Sequence, residues 1–373
     1  ASLRQRLGRS GRRSDAAVLR MFIPEDELTA QSHVSDQLRL EIIQCVAMVN
    51  LLLKKWYEPP QVNQLHLSTL VQQTLSVIGQ YGGVRANQLW ALLCDSGVFG
   101  IVDQKLYATF LRSLGQQDLI SQTHDGQIVL GAKGERYVGH FTFYTAFNTP
   151  EEYRLDCDGK ALGTLPIDKP LIVGQHIIFA GKRWEVLHVD AEKKLIKLKR
   201  AIGGKPPKFE GGIQTVHDNV RQEMFRIYRE QDEPIFLNKE AGNLFCEGLK
   251  HFDNLRLKNR NVLQNGESIH IIPWRGDQTV STITALLRHQ GLMAEDYGGI
   301  IDIRNCTTEQ LKEVIDAILH GTMPTPSELA ESVENTIIEK HDWILSEKLR
   351  TLSYGSRFFD IQSAKETLQK IRC

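Results

Sequence analysis

The spacing of apolar residues changes twice along the chain, and this limits the folds that are open to it. Between Asp36 and Trp56 the apolar residues follow the helical period. From Phe141 onward they alternate in short runs joined by tight turns, which predicts strands, and after residue 211 the helical period returns. Neither an all-helical nor an all-β fold accommodates both patterns. We therefore expect the 373 residues to form an α+β chain of several domains.

Residues 61–140 predict three helices followed by a β-hairpin. The helices are expected over 68–80, 86–94 and 104–114, and two short strands flank a turn at Asp125-Gly126. This order is typical of a winged helix, a variant of the helix-turn-helix. Such a domain either reads DNA bases or only packs on a neighbouring domain, and the sequence leaves both possibilities open.

Three further segments complete the predicted organisation. Residues 16–24 predict a short buried strand that ends at a proline. Residues 141–320 are expected to form a domain that contains an antiparallel meander or β-barrel with flanking helices. Residues 321–373 are expected to form a helical C-terminal tail.

A tryptophan beside a tight turn is the first candidate for contact with nucleic acid. Trp184 follows Lys182 and Arg183, so an indole that stacks on a base would lie next to cations that pair with phosphate. The alternation of Trp184 with Val186 equally fits a tryptophan in the core of a sheet. Trp274 also borders a turn and is the second candidate.

Charge and cysteine content narrow the functional classes. Lys and Arg together number 45, as do Asp and Glu, so the chain is not a uniformly basic binder of nucleic acid. Basic blocks remain at residues 1–20 and 182–208, which fits either a nucleic-acid track or solvated surfaces. The six cysteines include no C-x-x-C pair and the histidines lack metal-binding spacing, so we expect reduced thiols and no metal site. With no signal peptide and no long apolar run, we expect a cytoplasmic protein without membrane contact.

The basic string at residues 5–12 is suited to contact with a nucleotide. Arg9 and Arg12 are three residues apart, so one helical turn places them on the same side. Gly8 and Gly11 have the same spacing and allow a neighbouring surface to approach closely. A planar, permanently charged guanidinium stabilises a phosphoryl group during transfer, which is the role of an arginine finger.

The same string has every fixed position of motif VI of superfamily-2 helicases, Q-x-x-G-R-x-G-R. From there the chain resembles the C-terminal half of Lhr-type (large helicase-related) DNA helicases over nearly its full length. The other segments that carry the resemblance, in matching order and spacing, are Trp56-Tyr-Glu-Pro59, Gly131-Ala-Lys-Gly-Glu135, Phe147-Asn-Thr-Pro-Glu-Glu-Tyr153, Gly163-Thr-Leu-Pro166, Gly181-Lys-Arg-Trp184, Ile272-Pro-Trp-Arg-Gly276, Glu339-Lys-His-Asp342 and Phe359-Asp360.

The resemblance implies roles for the residues of motif VI. Arg9 and Arg12 would be catalytic arginine fingers of an ATP-dependent motor, and Gln5, Gly8 and Gly11 would contact its nucleotide. These residues would belong to the C-terminal end of the second RecA-like motor domain. We expect this end to span residues 1–60.

The resemblance also implies the nucleic-acid partner. Helicases of this type move 3′ to 5′ on single-stranded DNA, unwind DNA duplexes or RNA–DNA hybrids, and have relatives in DNA repair and phage defence. A tryptophan of the barrel-containing domain stacks on the tracking strand. Trp184, flanked by Lys182 and Arg183, is the best match to it, and Trp274 is the alternate.

The chain departs from a complete helicase in one respect. It contains no G-x-x-x-x-G-K-[ST] phosphate loop and no D-E-x-[HD] box after a strand. We therefore expect ATP and Mg²⁺ to be bound mainly by a motor domain outside these 373 residues, and this chain alone to be inactive. The alternative hypothesis is an ATP-independent module, in DNA repair or phage defence, that binds nucleic acid or another protein. Motif VI favours the motor because such a module needs no arginine finger. Protein partners are not indicated.

Replacement of Arg9 or Arg12 by alanine in the complete protein should abolish most ATP turnover while DNA binding stays nearly intact. An arginine finger contributes about 10³- to 10⁵-fold to the rate of phosphoryl transfer. Steady-state ATPase assays at saturating single-stranded DNA measure the effect. A variant within threefold of the wild-type rate would remove that arginine from catalysis.

Overall fold

The computed structural model describes residues 2–8, 10, 16–29, 32–95, 97–145, 151–167, 176–179, 182–190, 193–201, 215–333 and 335–371. The chain forms two compact units. Unit 1 comprises residues 1–65, 215–334 and 351–373, and unit 2 comprises residues 66–214 and 335–350. The predicted domain 141–320 and the predicted tail 321–373 are therefore each divided between the units, because the chain leaves unit 1 twice and returns to it twice.

Helices and strands both contribute to each unit, which confirms the α+β prediction. In chain order the elements are α1 (Ser2–Leu7), α2 (Val34–Gln37), α3 (Leu40–Leu53), α4 (Leu67–Tyr81), β1 (Val84–Arg85), α5 (Ala86–Trp90), α6 (Gln104–Gln116), β2 (Ile120–Gln122), β3 (Gln127–Leu130), α7 (Ala132–Val138), β4 (Glu151–Cys157), β5 (Lys160–Ile167), β6 (His176–Phe179), β7 (Lys182–Asp190), β8 (Leu195–Arg200), α8 (Asp218–Glu230), α9 (Lys239–Asn254), β9 (Val262–Asn265), β10 (Ser268–Ile271), α10 (Asp277–His289), β11 (Met293–Tyr297), β12 (Ile300–Arg304), α11 (Thr308–His320), α12 (Pro326–Ala330), α13 (Glu347–Phe358) and α14 (Ile361–Leu368).

The first part of unit 2 has the predicted order of three helices and a hairpin. Asp103 begins α6 by accepting a 2.7 Å hydrogen bond from the Leu106 amide, which satisfies one of the free N–H groups of the first turn. Phe110 and Leu114 are fully buried on the inner face of α6. The short strand β1 was not predicted, and it pairs with β3 to make a three-stranded sheet in the order β1-β3-β2.

The second part of unit 2 contains a five-stranded sheet in the order β5-β4-β8-β7-β6. Strands β4 and β8 are parallel, which corrects the prediction of a purely antiparallel meander. The sheet is open in the described residues, but its two edges approach each other. Gly163 of β5 has a φ of +146°, and a side chain there would meet the ring of Phe179 in β6. The sheet is therefore strongly curled around a small core.

Helices α3, α8 and α9 form one core of unit 1. Tyr228, Phe245 and Phe252 are buried there, and the Tyr228 hydroxyl donates to the carbonyl oxygen of Leu38. Arg39 is also buried, and it lies 3.1 Å from Glu25 and 2.7 Å from Glu247. These carboxylates compensate for the burial of the arginine charge and hold residues 25–26 in place.

The prediction of a buried strand over residues 16–24 is wrong. These residues form no strand and are mostly exposed, with Val18 and Phe22 pointing into solvent. A strand needs a hydrogen-bonded neighbour, and in the described residues no strand lies beside this segment.

The second core of unit 1 lies on one face of an antiparallel sheet in the order β11-β12-β10-β9. Side chains of a strand alternate between its faces. Ile269 and Ile271 of β10 therefore face the same way as Ile301 and Ile303 of β12, and all four are fully buried against α10, α11 and α14.

The loop before β2 lies directly against helix α7. The amide groups of Lys133 and Gly134 both donate to the carbonyl oxygen of Asp118, and the amide of Gly131 donates to that of Leu119. A Cβ on Gly134 would lie well inside contact distance of the Leu119 carbonyl oxygen. Glycine is therefore required here by the close approach of two backbones.

Gly134→Ala should destabilise unit 2 by about 1–3 kcal/mol because the backbones must move apart. The matched control is Gly115→Ala in α6, whose Cβ would meet nothing closer than 3.9 Å. That change should be neutral or stabilise by up to about 1 kcal/mol, the helix-propensity difference. Urea unfolding of both variants measures this, and equal effects would contradict the packing described above.

Candidate nucleic-acid interface

The described part of the motif VI segment is a short helix and the residue after it. Gln5 is exposed in α1, and the Gly8 amide ends the helix by donating to the Arg4 carbonyl oxygen at 2.8 Å. Arg9, Gly11 and Arg12 lie outside the described residues. The arginine-finger assignment therefore stays a prediction.

Trp184 lies in the core of the curled sheet. It is only 7% exposed and packs among Leu155, Ile177 and Val186, and its indole N–H donates to the Phe179 carbonyl oxygen at 3.2 Å. The ring is thus part of the apolar core of this sheet. This placement favours the core role that the strand alternation offered, and it gives no support to base stacking. The side chains of Lys182 and Arg183 lie outside the described residues.

Trp274 is also buried, at 6% exposure in unit 1. Its ring stacks on Phe225 at 5.3 Å and lies 5.3 Å from Tyr228 and 6.0 Å from Phe252, measured between ring centroids. Four aromatic rings in contact form a rigid apolar centre. The stacking role of Trp274 likewise stays a prediction without structural support.

Unit 2 presents a different group of aromatic side chains to solvent. Phe141 is 77% exposed, Tyr144 is 70% exposed and Trp343 is 51% exposed. Phe141–Tyr144 is a turn of 3-10 helix, not the strand that its alternation predicted, because Phe143 alone points into the core. We call Phe141, Tyr144 and Trp343 the aromatic cluster.

Tyr137 and Phe143 connect two members of the aromatic cluster, Trp343 and Tyr144, through ring contacts. The Tyr137 ring lies 5.5 Å from that of Trp343 and 5.5 Å from that of Phe143, both edge to face. Phe143 in turn lies 5.5 Å from Tyr144. These contacts hold side chains from two distant parts of the chain on one surface.

A buried histidine anchors this arrangement. His341 Nδ1 lies 2.6 Å from the Tyr137 hydroxyl, and the His341 amide donates to the Ser68 hydroxyl at 3.0 Å. Burial raises the pKa of Tyr137, so its hydroxyl keeps the proton and donates to the neutral imidazole. Burial, assisted by the charge of Lys340, lowers the pKa of His341 to about 4. The imidazole is therefore neutral at physiological pH.

Lys340 fixes the turn that carries Phe141 and Tyr144. Its ammonium donates to the carbonyl oxygens of Thr142 and Thr145, the latter at 2.6 Å, and to the Thr145 hydroxyl. Partial burial lowers the pKa of Lys340. The cation thus positions the turn and is not available to a phosphate.

Two other exposed cations lie on α7, the helix that carries Tyr137. Lys133, four residues before Tyr137, is on the same face as its ring, and Arg136 lies on the adjoining face. Exposed aromatic rings next to exposed cations are the features with which proteins hold single-stranded nucleic acid, the rings stacking on bases and the cations pairing with phosphates.

Helix α6 presents a separate polar surface of unit 2. Lys105, Thr109 and Arg112 are exposed at helical spacing, opposite the buried Phe110 and Leu114. A helix with such a face fits the width of a DNA major groove. Its two cations supply phosphate contacts, which carry no sequence information.

Sequence reasoning missed the aromatic cluster because its members are about 200 residues apart. The one local signal was the segment Glu339-Lys-His-Asp342, which precedes Trp343. Asp342 accepts hydrogen bonds from the amides of Ile338 and Glu339, at 2.9 and 2.6 Å, and so shapes the turn that presents Trp343.

Comparisons with known proteins identify no relative of the chain. No family model matches it, and no curated protein and no solved structure is significantly similar to it. In the described ranges, no helix combines the length and the apolar character that crossing a membrane requires.

The stability of unit 2 should fall as the pH falls from about 7 to about 4, and His341 should cause part of this fall. Its pKa is about 4 in the folded state and about 6.5 when unfolded, so between these values the unfolded state binds more protons. The stabilisation that the neutral His341 provides is complete above a pH of about 6.5 and is lost as the pH falls towards about 4. The free-energy difference between wild type and His341→Gln should shrink by about 3 kcal/mol over this range.

Urea unfolding of both proteins at several pH values measures this difference. Both proteins contain all the other titrating groups, so the contribution of those groups cancels in the difference. A difference that stays constant from pH 7 to pH 4 would show that His341 does not carry the effect.

Proposed function

We propose that the chain is the DNA-binding part of an ATP-dependent 3′-to-5′ translocase on single-stranded DNA, to which it also contributes the arginine fingers. ATP and Mg²⁺ would be held mainly by a motor domain outside these residues. Two features support this: the motif VI string at residues 5–12 and the aromatic cluster of unit 2. The first belongs to nucleotide hydrolysis and the second to the grip on a strand.

The aromatic cluster is the observation that carries the proposal. A motor that steps along a strand needs a contact that does not depend on sequence, and every base offers a flat face for stacking. Trp343, Tyr144 and Phe141 are exposed, and the exposed Lys133 and Arg136 on the helix of Tyr137 would pair with phosphates. Unit 2 thus presents exposed aromatic rings and cations to a strand, whereas Trp184 and Trp274 are both buried.

The helices and hairpin of residues 66–138 support a winged-helix interpretation. The third helix carries the exposed face with Lys105 and Arg112, and residues 123–125 of the hairpin turn that follows are also exposed. In a helicase this domain would contact the duplex ahead of the single strand.

The alternative is an ATP-independent nucleic-acid-binding or interaction module. It shares the DNA contact with the first proposal and differs in the need for nucleotide. Motif VI at residues 5–12 favours the motor, because its arginines have no role without ATP. Loss of ATPase in the arginine variants of the complete protein separates the two functions.

Trp343→Ala and Trp184→Ala should have opposite effects in the chain 1–373. Loss of a stacking ring costs about 1–3 kcal/mol per base, so Trp343→Ala should weaken binding of single-stranded oligothymidylate about 5- to 150-fold and leave stability nearly unchanged. Loss of the core ring should cost about 3–5 kcal/mol of stability. Fluorescence anisotropy and melting temperature, measured on both variants, distinguish the roles.

Trp343→Phe is the matched control, since it keeps an aromatic face and should restore most of the affinity. The result that would contradict this is unchanged DNA affinity in Trp343→Ala together with reduced DNA affinity in a folded Trp184 variant such as Trp184→Phe. It would show that the aromatic cluster does not bind DNA, and it would support the prediction from sequence that Trp184 stacks on the strand.

A further inference from the structure

Unit 1 contains a compact group of two imidazoles and one carboxylate. The carboxylate of Asp302 lies 2.8 Å from His33 Nε2 through Oδ2, and 2.7 Å from His270 Nδ1 through Oδ1. One ligand atom from each of the three residues lies within 4.8 Å of the others. In the described residues no other such group of three was found. None of these residues takes part in the proposed DNA contact.

Strand alternation places this group on a defined face of the sheet. His270 of β10 is directly opposite Asp302 of β12 in the antiparallel register. Their neighbours Ile269, Ile271 and Ile301 face the apolar core, so His270 and Asp302 point to the other side. The backbone register therefore fixes two of the three ligand groups before any ion binds.

The third group comes from the residue that begins α2. The imidazole of His33 lies edge-on to that of His270, with ring centroids 5.2 Å apart, and against the Tyr297 ring at 4.3 Å. Its Nδ1 accepts a hydrogen bond from the Ser35 amide at 3.2 Å, so the proton of the neutral ring lies on Nε2 and is donated to Asp302. An ion that binds Nε2 would shift this proton to Nδ1, where the Ser35 hydroxyl, 2.8 Å away, can accept it.

The electrostatics of the group suit a cation. Each oxygen of the Asp302 carboxylate accepts from one of the two imidazoles, so the three groups already converge on one point. His33 and His270 are nearly buried, whereas Asp302 is 24% exposed, which gives solvent access on its side.

We propose that His33, His270 and Asp302 bind one divalent transition-metal ion, with zinc as its representative. Imidazole nitrogens and a carboxylate oxygen are the ligands that this class of ion prefers, at about 2.0–2.2 Å. Tetrahedral ligands at this bond length lie about 3.3–3.6 Å from one another, so the nitrogen–oxygen separations of 2.7–2.8 Å would widen by roughly 0.5–0.9 Å to admit the ion. Water would complete the coordination on the exposed side.

The hard cations Mg²⁺ and Ca²⁺ are not expected, since they prefer sites made of oxygen ligands. The ion would join the start of α2 to the sheet, across the 269 residues that separate His33 from Asp302. Its role would be to stabilise unit 1. The sequence prediction of no metal site rested on local spacing and could not include residues so far apart.

Zinc titration of the chelator-stripped, reduced chain 1–373 tests the site. In competition with a chromophoric chelator, one equivalent should bind, and His270→Ala and Asp302→Asn should each weaken binding at least about 100-fold. Zinc at about 100 times its dissociation constant should raise the melting temperature by about 5 °C or more. Cobalt(II) should give a visible spectrum without the near-ultraviolet band of thiolate ligands.

His289→Ala, an exposed histidine of α10 outside the group, is the matched control and should bind like wild type. Absence of stoichiometric binding by wild type would leave only a hydrogen-bonded triad and overturn the proposal. A thiolate band, or unchanged affinity in the Asp302→Asn protein, would do the same. If circular dichroism shows that a variant does not fold, the zinc stoichiometry and the cobalt spectrum of the wild-type chain still test whether the site binds a metal ion.

Discussion

The hydrogen bond between Tyr137 and His341 is the contact on which the candidate interface depends. It joins the end of the helix-and-hairpin part of unit 2 to residues 335–350, which return to that unit from far along the chain. Together with the bonds from Lys340 to Thr142 and Thr145, it fixes Trp343 relative to Phe141 and Tyr144. A buried pair of this kind is stable only while the imidazole is neutral, and burial keeps it so.

Much of the local structure follows from the sequence, because helical period and turn residues are local signals. The helices α3, α4 and α6 and the hairpin of β2 and β3 lie close to their predicted positions. The errors concern short apolar stretches whose state depends on distant partners. In the described residues no strand lies beside residues 16–24, and Phe141–Tyr144 forms a 3-10 turn in which only Phe143 is buried.

The candidate site was harder to predict because burial, not residue type, decides what a tryptophan can do. Trp184 has the flanking cations that a stacking residue needs, yet strand alternation directs its ring into the core. Trp343 has an ordinary sequence context, and tertiary contacts bring it to the surface beside Tyr137. The His33, His270 and Asp302 group was unpredictable for the same reason, since register and chain return create it.

Hydrogen–deuterium exchange of the chain 1–373, with and without saturating oligothymidylate, tests the central claim that the aromatic cluster is the surface that holds single-stranded DNA. DNA should slow exchange at residues 137–145 and 339–345 and leave the interior of β7 around Trp184 unchanged. Slower exchange confined to residues 182–190, with none at the aromatic cluster, would contradict it.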